Sequence, residues 1–175
     1  MRSGTYHVFF CYISRRGAGY MIFLNEEKDR YIPVMLPSWQ ADLAMAVMNK
    51  QVSPDNCGIY SSFLKMFSSF GFSVEGISIL AEDSDGKKAM SAYLLTFMNN
   101  SVKSLMGNVA MPVSDAAMMS FLTGVPVLIC DDHELKLSVG VTIPPDETMD
   151  EASARVIDEI ETFEAGLAAA QPGHV

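Results

Sequence analysis

Acidic and hydroxyl side chains occur together at two places in the second half of the chain. Ser114 and Asp115 precede a predicted helix, and Asp131, Asp132 and Glu134 directly follow a predicted buried strand. Carboxylate oxygens are preferred ligands of Mg²⁺, and a carboxylate held on a rigid turn can also orient water. The sequence therefore predicts a joint site in which Ser114 and Asp115 are the catalytic candidates. The predicted ligands of Mg²⁺ or Mn²⁺ are Asp115, Asp131, Asp132 and Glu134.

Each of the two groups also has a structural interpretation. Ser and Asp are preferred N-cap residues, so Ser114 or Asp115 is expected to begin the helix over residues 116–122. The run 131–134 is typical of an acidic turn on the surface. The residue types alone leave both interpretations open.

Motifs of the common enzyme classes are missing from the sequence. There is no Walker loop, GxSxG elbow, HExxH or GxGxxG. The three histidines, His7, His133 and His174, are spread over the whole chain, which argues against a histidine metal triad.

Composition and charge bound the class of protein. A chain of 175 residues with 49% hydrophobic residues is expected to fold as one domain with a sizeable core. Charged or polar residues interrupt every apolar run before the length of a membrane span, so no membrane association and a cytoplasmic location are expected. Of the net charge of −9, residues 144–175 contribute −7, with eight acidic residues and one arginine. No basic stripe is present, so electrostatic support for binding DNA or RNA is weak.

Periodicity and turn residues predict an α+β fold. The predicted architecture is a mixed, mostly antiparallel sheet with three packed helices and an appended C-terminal helix. Residues 6–36 are expected to form a meander, and Ser38 to cap the first helix. The second helix is expected to start at Ser53-Pro54-Asp55, and Gly124 to end the third. Further strands are predicted over residues 72–80, with a bulge at Gly76, and over 90–98, 102–110, 125–130 and 135–141.

The last predicted helix begins at a capping box, because Thr148 and Glu151 stand in the S/T-x-x-E spacing. It carries one apolar stripe opposite its acidic residues. The stripe consists of Ala152, Val156, Ile160, Phe163 and Leu167. A boundary over residues 142–145 divides the chain into an α+β domain, 1–143, and an acidic helix with a frayed tail, 144–175.

Three segments resemble the bifunctional nuclease family, also called the DUF151 domain. The clearest is the stretch Val-Ser-Asp-Ala at residues 113–116, followed by Thr-Gly-Val-Pro-Val at 123–127. Leu-Pro-Ser-Trp at 36–39 is similar to the family's Leu-Pro-Ile-Trp segment. Residues 64–79, with Phe-Gly and Val-Glu-Gly-Ile, are similar to a third family element. The resemblance spans residues 8–141 and implies an α+β fold, self-association into a homo-oligomer, and hydrolysis of DNA and RNA as a nuclease.

The chain also departs from the family pattern. Pro112 stands where the family has Arg before Pro-Ser-Asp, and Ile59-Tyr60-Ser61 stands where it has a Thr-His-Asp-like segment. Arg and His are the groups suited to phosphate contact and proton transfer. Two functions are therefore predicted as alternatives: a metal-dependent nuclease, and a catalytically inactive oligomeric interaction module that kept the scaffold.

Overall fold

The computed structural model of the chain describes residues 3–84, 87–98, 105–130 and 137–169. Those ranges form four α-helices and eight strands. The helices are α1 (Ser38–Met48), α2 (Ile59–Ser69), α3 (Val113–Thr123) and α4 (Met149–Ala169). The strands are β1 (Ser3–Ile13), β2 (Gly19–Asn25), β3 (Arg30–Leu36), β4 (Phe72–Ser84), β5 (Lys87–Met98), β6 (Leu105–Met111), β7 (Val127–Cys130) and β8 (Val139–Gly140).

All eight strands belong to one sheet, in the order β6-β5-β4-β7-β1-β2-β3-β8. Only β4 and β7 pair in parallel, and the other neighbours are antiparallel. The prediction of an α+β fold with a mixed, mostly antiparallel sheet is confirmed, including the opening meander β1-β2-β3. The register of β4 shifts between Val74 and Gly76, so the predicted bulge is also confirmed.

The meander is apolar on both faces because both faces are covered. All seven residues of β2 are buried. Met21 and Phe23 face a core shared with α1, α2 and α3, whereas Tyr20, Ile22 and Leu24 face a second core shared with α4. The sheet is therefore the middle layer of three.

Helix α3 occupies the centre of the first core. Five consecutive residues, Ala116 to Ser120, are buried, and the helix packs against α1 and against β1, β3, β4 and β5. It ends as predicted at Gly124, whose φ of +71° is the left-handed conformation that glycine adopts readily.

Two predicted helix starts are wrong, and a third begins a 3₁₀ turn instead of an α-helix. Pro112 is the N-cap of α3, so Ser114 and Asp115 lie inside the first turn and form no side-chain cap. Pro37 likewise precedes α1 in place of a cap by Ser38. Pro54–Asn56 form a separate 3₁₀ turn, capped by Ser53, and α2 begins only after Gly58. At α1 and α3 a proline, with its φ fixed near −65°, takes the position before the helix, so the polar residues fall inside it.

Helix α4 begins with the predicted capping box. The Thr148 backbone N–H donates to Glu151 Oε2 at 2.9 Å, and the Glu151 N–H donates to Thr148 Oγ1 at 3.3 Å. Its residues Ala152, Val156 and Ile160 are buried against the sheet. Within the described ranges, no helix combines the length and hydropathy that crossing a bilayer requires.

We predict that Gly19→Ala destabilises the protein by about 1–3 kcal/mol, because overpacking a filled core forces the backbone to shift. A Cβ at position 19 would overlap Ala41 Cβ and lie 3.2 Å from the Leu36 carbonyl oxygen. Urea unfolding monitored by circular dichroism measures the loss. Gly140→Ala is the matched control, since a Cβ there meets nothing within 4 Å. Equal midpoints for the two variants would contradict the close packing of β2 on α1.

Candidate functional site

Asp115 is hydrogen-bonded to side chains from two other helices. Its Oδ1 accepts from Gln40 Nε2 at 2.7 Å and from the Tyr60 hydroxyl at 2.6 Å. Gln40 Nε2 also donates to the Tyr60 oxygen at 2.6 Å. We call Gln40, Tyr60 and Asp115 the polar triangle. It is the part of the predicted site that the structure assembles from described residues.

The polar triangle joins the first turns of three helices. Gln40 is the third residue of α1, Tyr60 the second of α2 and Asp115 the third of α3. Helix N-termini carry partial positive charge and unpaired N–H groups, so they stabilise an anion nearby. The Asp115 carboxylate supplies that anion from within the chain.

Gln40 is the most deeply buried member of the triangle, with 1% of its surface exposed. Its amide nitrogen must face Asp115, because the amide oxygen would repel the carboxylate. Its Oε1 is thereby left buried without a hydrogen-bond partner among the described residues. A buried acceptor without a partner costs free energy, and the two hydrogen bonds of Nε2 oppose that cost.

The Tyr60 hydroxyl is a hydrogen-bond donor at neutral pH. Burial raises its pKa above the ordinary value of 10.0, and the hydrogen bond to Asp115 raises it further. The ring is stacked on Trp39, with centroids 6.1 Å apart and planes 16° apart. A protonated, packed tyrosine cannot serve as a general base at neutral pH, so it orients Asp115 instead.

The other predicted catalytic residue, Ser114, lies next to Asp115 in the first turn of α3 and is half-buried. The remaining metal-ligand candidates, Asp131, Asp132 and Glu134, lie outside the described residues. Among the residues that the structure does describe, no group of three or more His, Cys, Asp or Glu side chains is placed to hold a metal ion.

Strand topology brings the start of α3 and the end of β7 to one edge of the sheet. Strands β6 and β7 run in the same direction, because β6 and β4 are both antiparallel to β5 and β7 is parallel to β4. Met111, Ala92, Ile79 and Ile129 form one row across the four strands. The chain therefore enters α3 and leaves β7 at the same edge.

Sequence reasoning missed Gln40 and Tyr60 as partners of Asp115. Tyr60 falls where the resemblance places a His-containing segment, and Gln40 follows the Leu-Pro-Ser-Trp segment directly. The signal in the sequence was Gln40 itself, a polar residue at a core-facing position of an apolar helix, because such a residue needs a hydrogen-bond partner. The neighbouring Ser61 donates to the Gly58 carbonyl at 3.0 Å and so supports the start of α2.

Comparison with models of protein families and with curated proteins found no match to this chain. The resemblance to bifunctional nucleases therefore remains a prediction from three short segments. The polar triangle adds one structural fact to it. Two of the positions discussed for that resemblance, Tyr60 and Asp115, are in direct contact.

We predict that Tyr60→Phe lowers the free energy of unfolding at pH 7 by about 1–3 kcal/mol, since it removes a buried donor to a carboxylate. The raised pKa of Tyr60 contributes stability that is fully present below about pH 10 and is lost as the pH rises toward the folded-state value. The difference between wild type and variant should therefore shrink above pH 10.

Urea unfolding at pH 7 and at several alkaline pH values measures both effects. Tyr31→Phe is the control, because the Tyr31 hydroxyl donates over 3.1 Å to Glu159, which is exposed. A smaller loss at pH 7 is expected for the control. Wild-type stability in Tyr60→Phe at pH 7 would show that the triangle does not hold the helices together.

Proposed function

We propose that this chain is a catalytically inactive, homo-oligomeric interaction module on a scaffold resembling the bifunctional nucleases. The observation that carries the proposal is the use of the Asp115 carboxylate. Its Oδ1 accepts hydrogen bonds from both Gln40 and Tyr60, which ties the three helices together.

The surroundings of Asp115 oppose a catalytic cation at that position. The helix N-termini that meet there favour negative charge and repel Mg²⁺. The Tyr60 hydroxyl stays protonated, and Pro112 caps α3 where the resembling family has Arg. The described part of the site therefore has a structural anion, without a base or a phosphate-binding cation beside it.

The surface of α2 supports a role in association. Ile59, Met66 and Phe70 are 73%, 52% and 70% exposed. Their spacings of seven and four residues place them on one face of the helix. Trp39, 54% exposed, stacks on Tyr60 at the start of the same helix. Exposed apolar patches of this kind mark interaction sites, and aromatic residues and Met are enriched in interface cores.

A second copy of the chain is the partner that we propose for this face. A two-fold interface brings the same patch of both subunits together, so one apolar helix face is enough to form it. Ser62 and Lys65 of α2 are also exposed and would lie at the rim. Such an interface covers the apolar side chains while leaving the acidic α4 outside it.

We predict that the protein has at least twice the mass of the 19.1 kDa chain in solution, and that Met66→Ser with Phe70→Ser shifts it toward the monomer. Multi-angle light scattering over a range of protein concentrations measures the mass. Met48→Ser is the control, because Met48 is 39% exposed on a different helix. A wild-type protein that stays monomeric at tens of micromolar would refute the self-association.

The metal-dependent hydrolase is the second candidate, favoured by the shared sheet edge. The chain leaves β7 at the edge of the sheet where α3, with Asp115, begins. Asp131, Asp132 and Glu134 follow β7 in the sequence. In this proposal they would hold Mg²⁺ or Mn²⁺, and the metal would activate water against a DNA or RNA phosphodiester.

We predict no metal-dependent cleavage of single- or double-stranded DNA or RNA by the purified protein. Gel assays with Mg²⁺ or Mn²⁺, each with and without EDTA, should give the same background for wild type and for Asp131→Asn with Glu134→Gln. Cleavage that EDTA abolishes, and that this double variant loses while keeping its circular dichroism spectrum, would establish the hydrolase and overturn the inactive module.

A further inference from the structure

An apolar groove lies on the side of the sheet opposite the polar triangle, between α4 and strands β2, β3 and β8. Its volume is about 550 Å³. It is lined by Tyr20, Tyr31, Pro33, Met35, Val139, Glu159, Ile160, Phe163, Glu164 and Leu167. We call it the α4 groove.

The groove exists because the apolar stripe of α4 is longer than its contact with the sheet. Ala152, Val156 and Ile160 are buried, but Phe163 and Leu167 are 66% and 55% exposed. The sequence predicted a single continuous stripe, and the structure buries only its first part. Strand β8, at the edge of the sheet, is only the two residues Val139–Gly140, so it adds little cover.

The walls of the groove expose apolar side chains to water. On the strand side, Met35 is 64% exposed and Val139 43% exposed. Together with Phe163 and Leu167 they form one concave apolar surface. Covering apolar surface contributes about 25 cal/mol per Å², so a ligand with an apolar body gains free energy by entering.

Two carboxylates flank the apolar stripe of the groove. Glu164 Oε1 accepts from the Tyr20 hydroxyl at 2.6 Å, and Glu159 Oε2 accepts from the Tyr31 hydroxyl at 3.1 Å. The pKa of Tyr20 is raised to about 12, mainly by burial, so at neutral pH its hydroxyl stays a donor. An ionised carboxylate has about four acceptor sites, so each glutamate can accept further donors from a ligand.

The negative charge of these carboxylates is not balanced within the groove. None of its ten lining residues is Lys, Arg or His. Arg15 and Arg16 line a neighbouring cavity that Glu164 shares with Asp158 and Glu161, where three acidic residues face two arginines. Arg15 is paired there with Glu161 at 3.0 Å. The groove therefore complements a ligand that is apolar along most of its length and positively charged at one end.

We propose that the α4 groove binds a small amphiphilic amine, with its alkyl or aromatic body against Met35, Phe163 and Leu167 and its ammonium group at Glu164. The volume lies within the range of small-molecule sites, roughly 300–1,000 Å³. The apolar part of the groove from Ile160 to Leu167 is about 10 Å long, at 1.5 Å per helical residue. This length suits the alkyl chain of a medium-length ligand better than a folded protein partner. Tyr20 holds Glu164 in place for the contact. The proposal is independent of how the protein oligomerises.

Calorimetric titration with octylamine, octanol and octanoate at pH 7 separates the contribution of the ligand's charge to affinity from that of its apolar body. Octylamine is expected to bind at least about tenfold more tightly than octanol, and octanoate more weakly than either, because charge-assisted hydrogen bonds are the strong ones. Equal affinities for the three ligands would overturn the proposal. Binding of a basic amphipathic peptide without any binding of octylamine would also overturn it, in favour of a protein-docking surface.

Substitutions test where the ammonium group and the alkyl chain of the bound ligand lie. Glu164→Gln should remove most of the preference for octylamine over octanol, and Glu159→Gln should reduce it less, because Glu159 is exposed. Phe163→Ser should weaken octylamine and octanol together. Met48→Ser, on α1 and outside the groove, should change neither affinity. A preference for octylamine that survives in a folded Glu164→Gln protein would place the cation elsewhere and refute the assignment.

Discussion

The carboxylate of Asp115 is bonded to side chains of two other helices, and this contact fixes where α1, α2 and α3 begin relative to one another. The three bonds of the polar triangle are 2.6–2.7 Å long and lie where helix N-termini meet. Without the carboxylate, partial positive charges would face one another in a partly dry environment. The helix layer on that side of the sheet thus depends on one half-buried carboxylate.

The sheet connects this helix layer to the rest of the fold. Helix α1 packs directly on β2, where Gly19 leaves room for Ala41. Helix α3 packs on the same face of the sheet, against β1, β3, β4 and β5. With that face occupied, the meander presents its other face, including Ile22 and Leu24, to α4. The C-terminal helix therefore packs on the face of the sheet opposite the first three helices.

Local signals in the sequence predicted many of the helix ends and strands, but they did not predict the side-chain contacts between those elements. Gly124, the bulge at Gly76 and the Thr148–Glu151 capping box follow from preferences of single residues or of residues three apart. The bonds of the polar triangle join positions 20, 55 and 75 residues apart in the chain. No helical or strand period relates such positions, so Gln40 and Tyr60 could not be assigned to Asp115.

The distinction between local sequence signals and long-range contacts also applies to the candidate functional surfaces. Periodicity identifies Phe163 and Leu167 as members of an apolar stripe, but only the packing of α4 shows that the sheet does not reach them. Conversely, Asp115 has the residue type of a catalytic acid, but its Oδ1 accepts two hydrogen bonds from side chains of the fold. The exposed apolar side chains are by contrast on the outside, on the face of α2 and in the α4 groove. The proposed self-association and the proposed amine binding rest on these two surfaces.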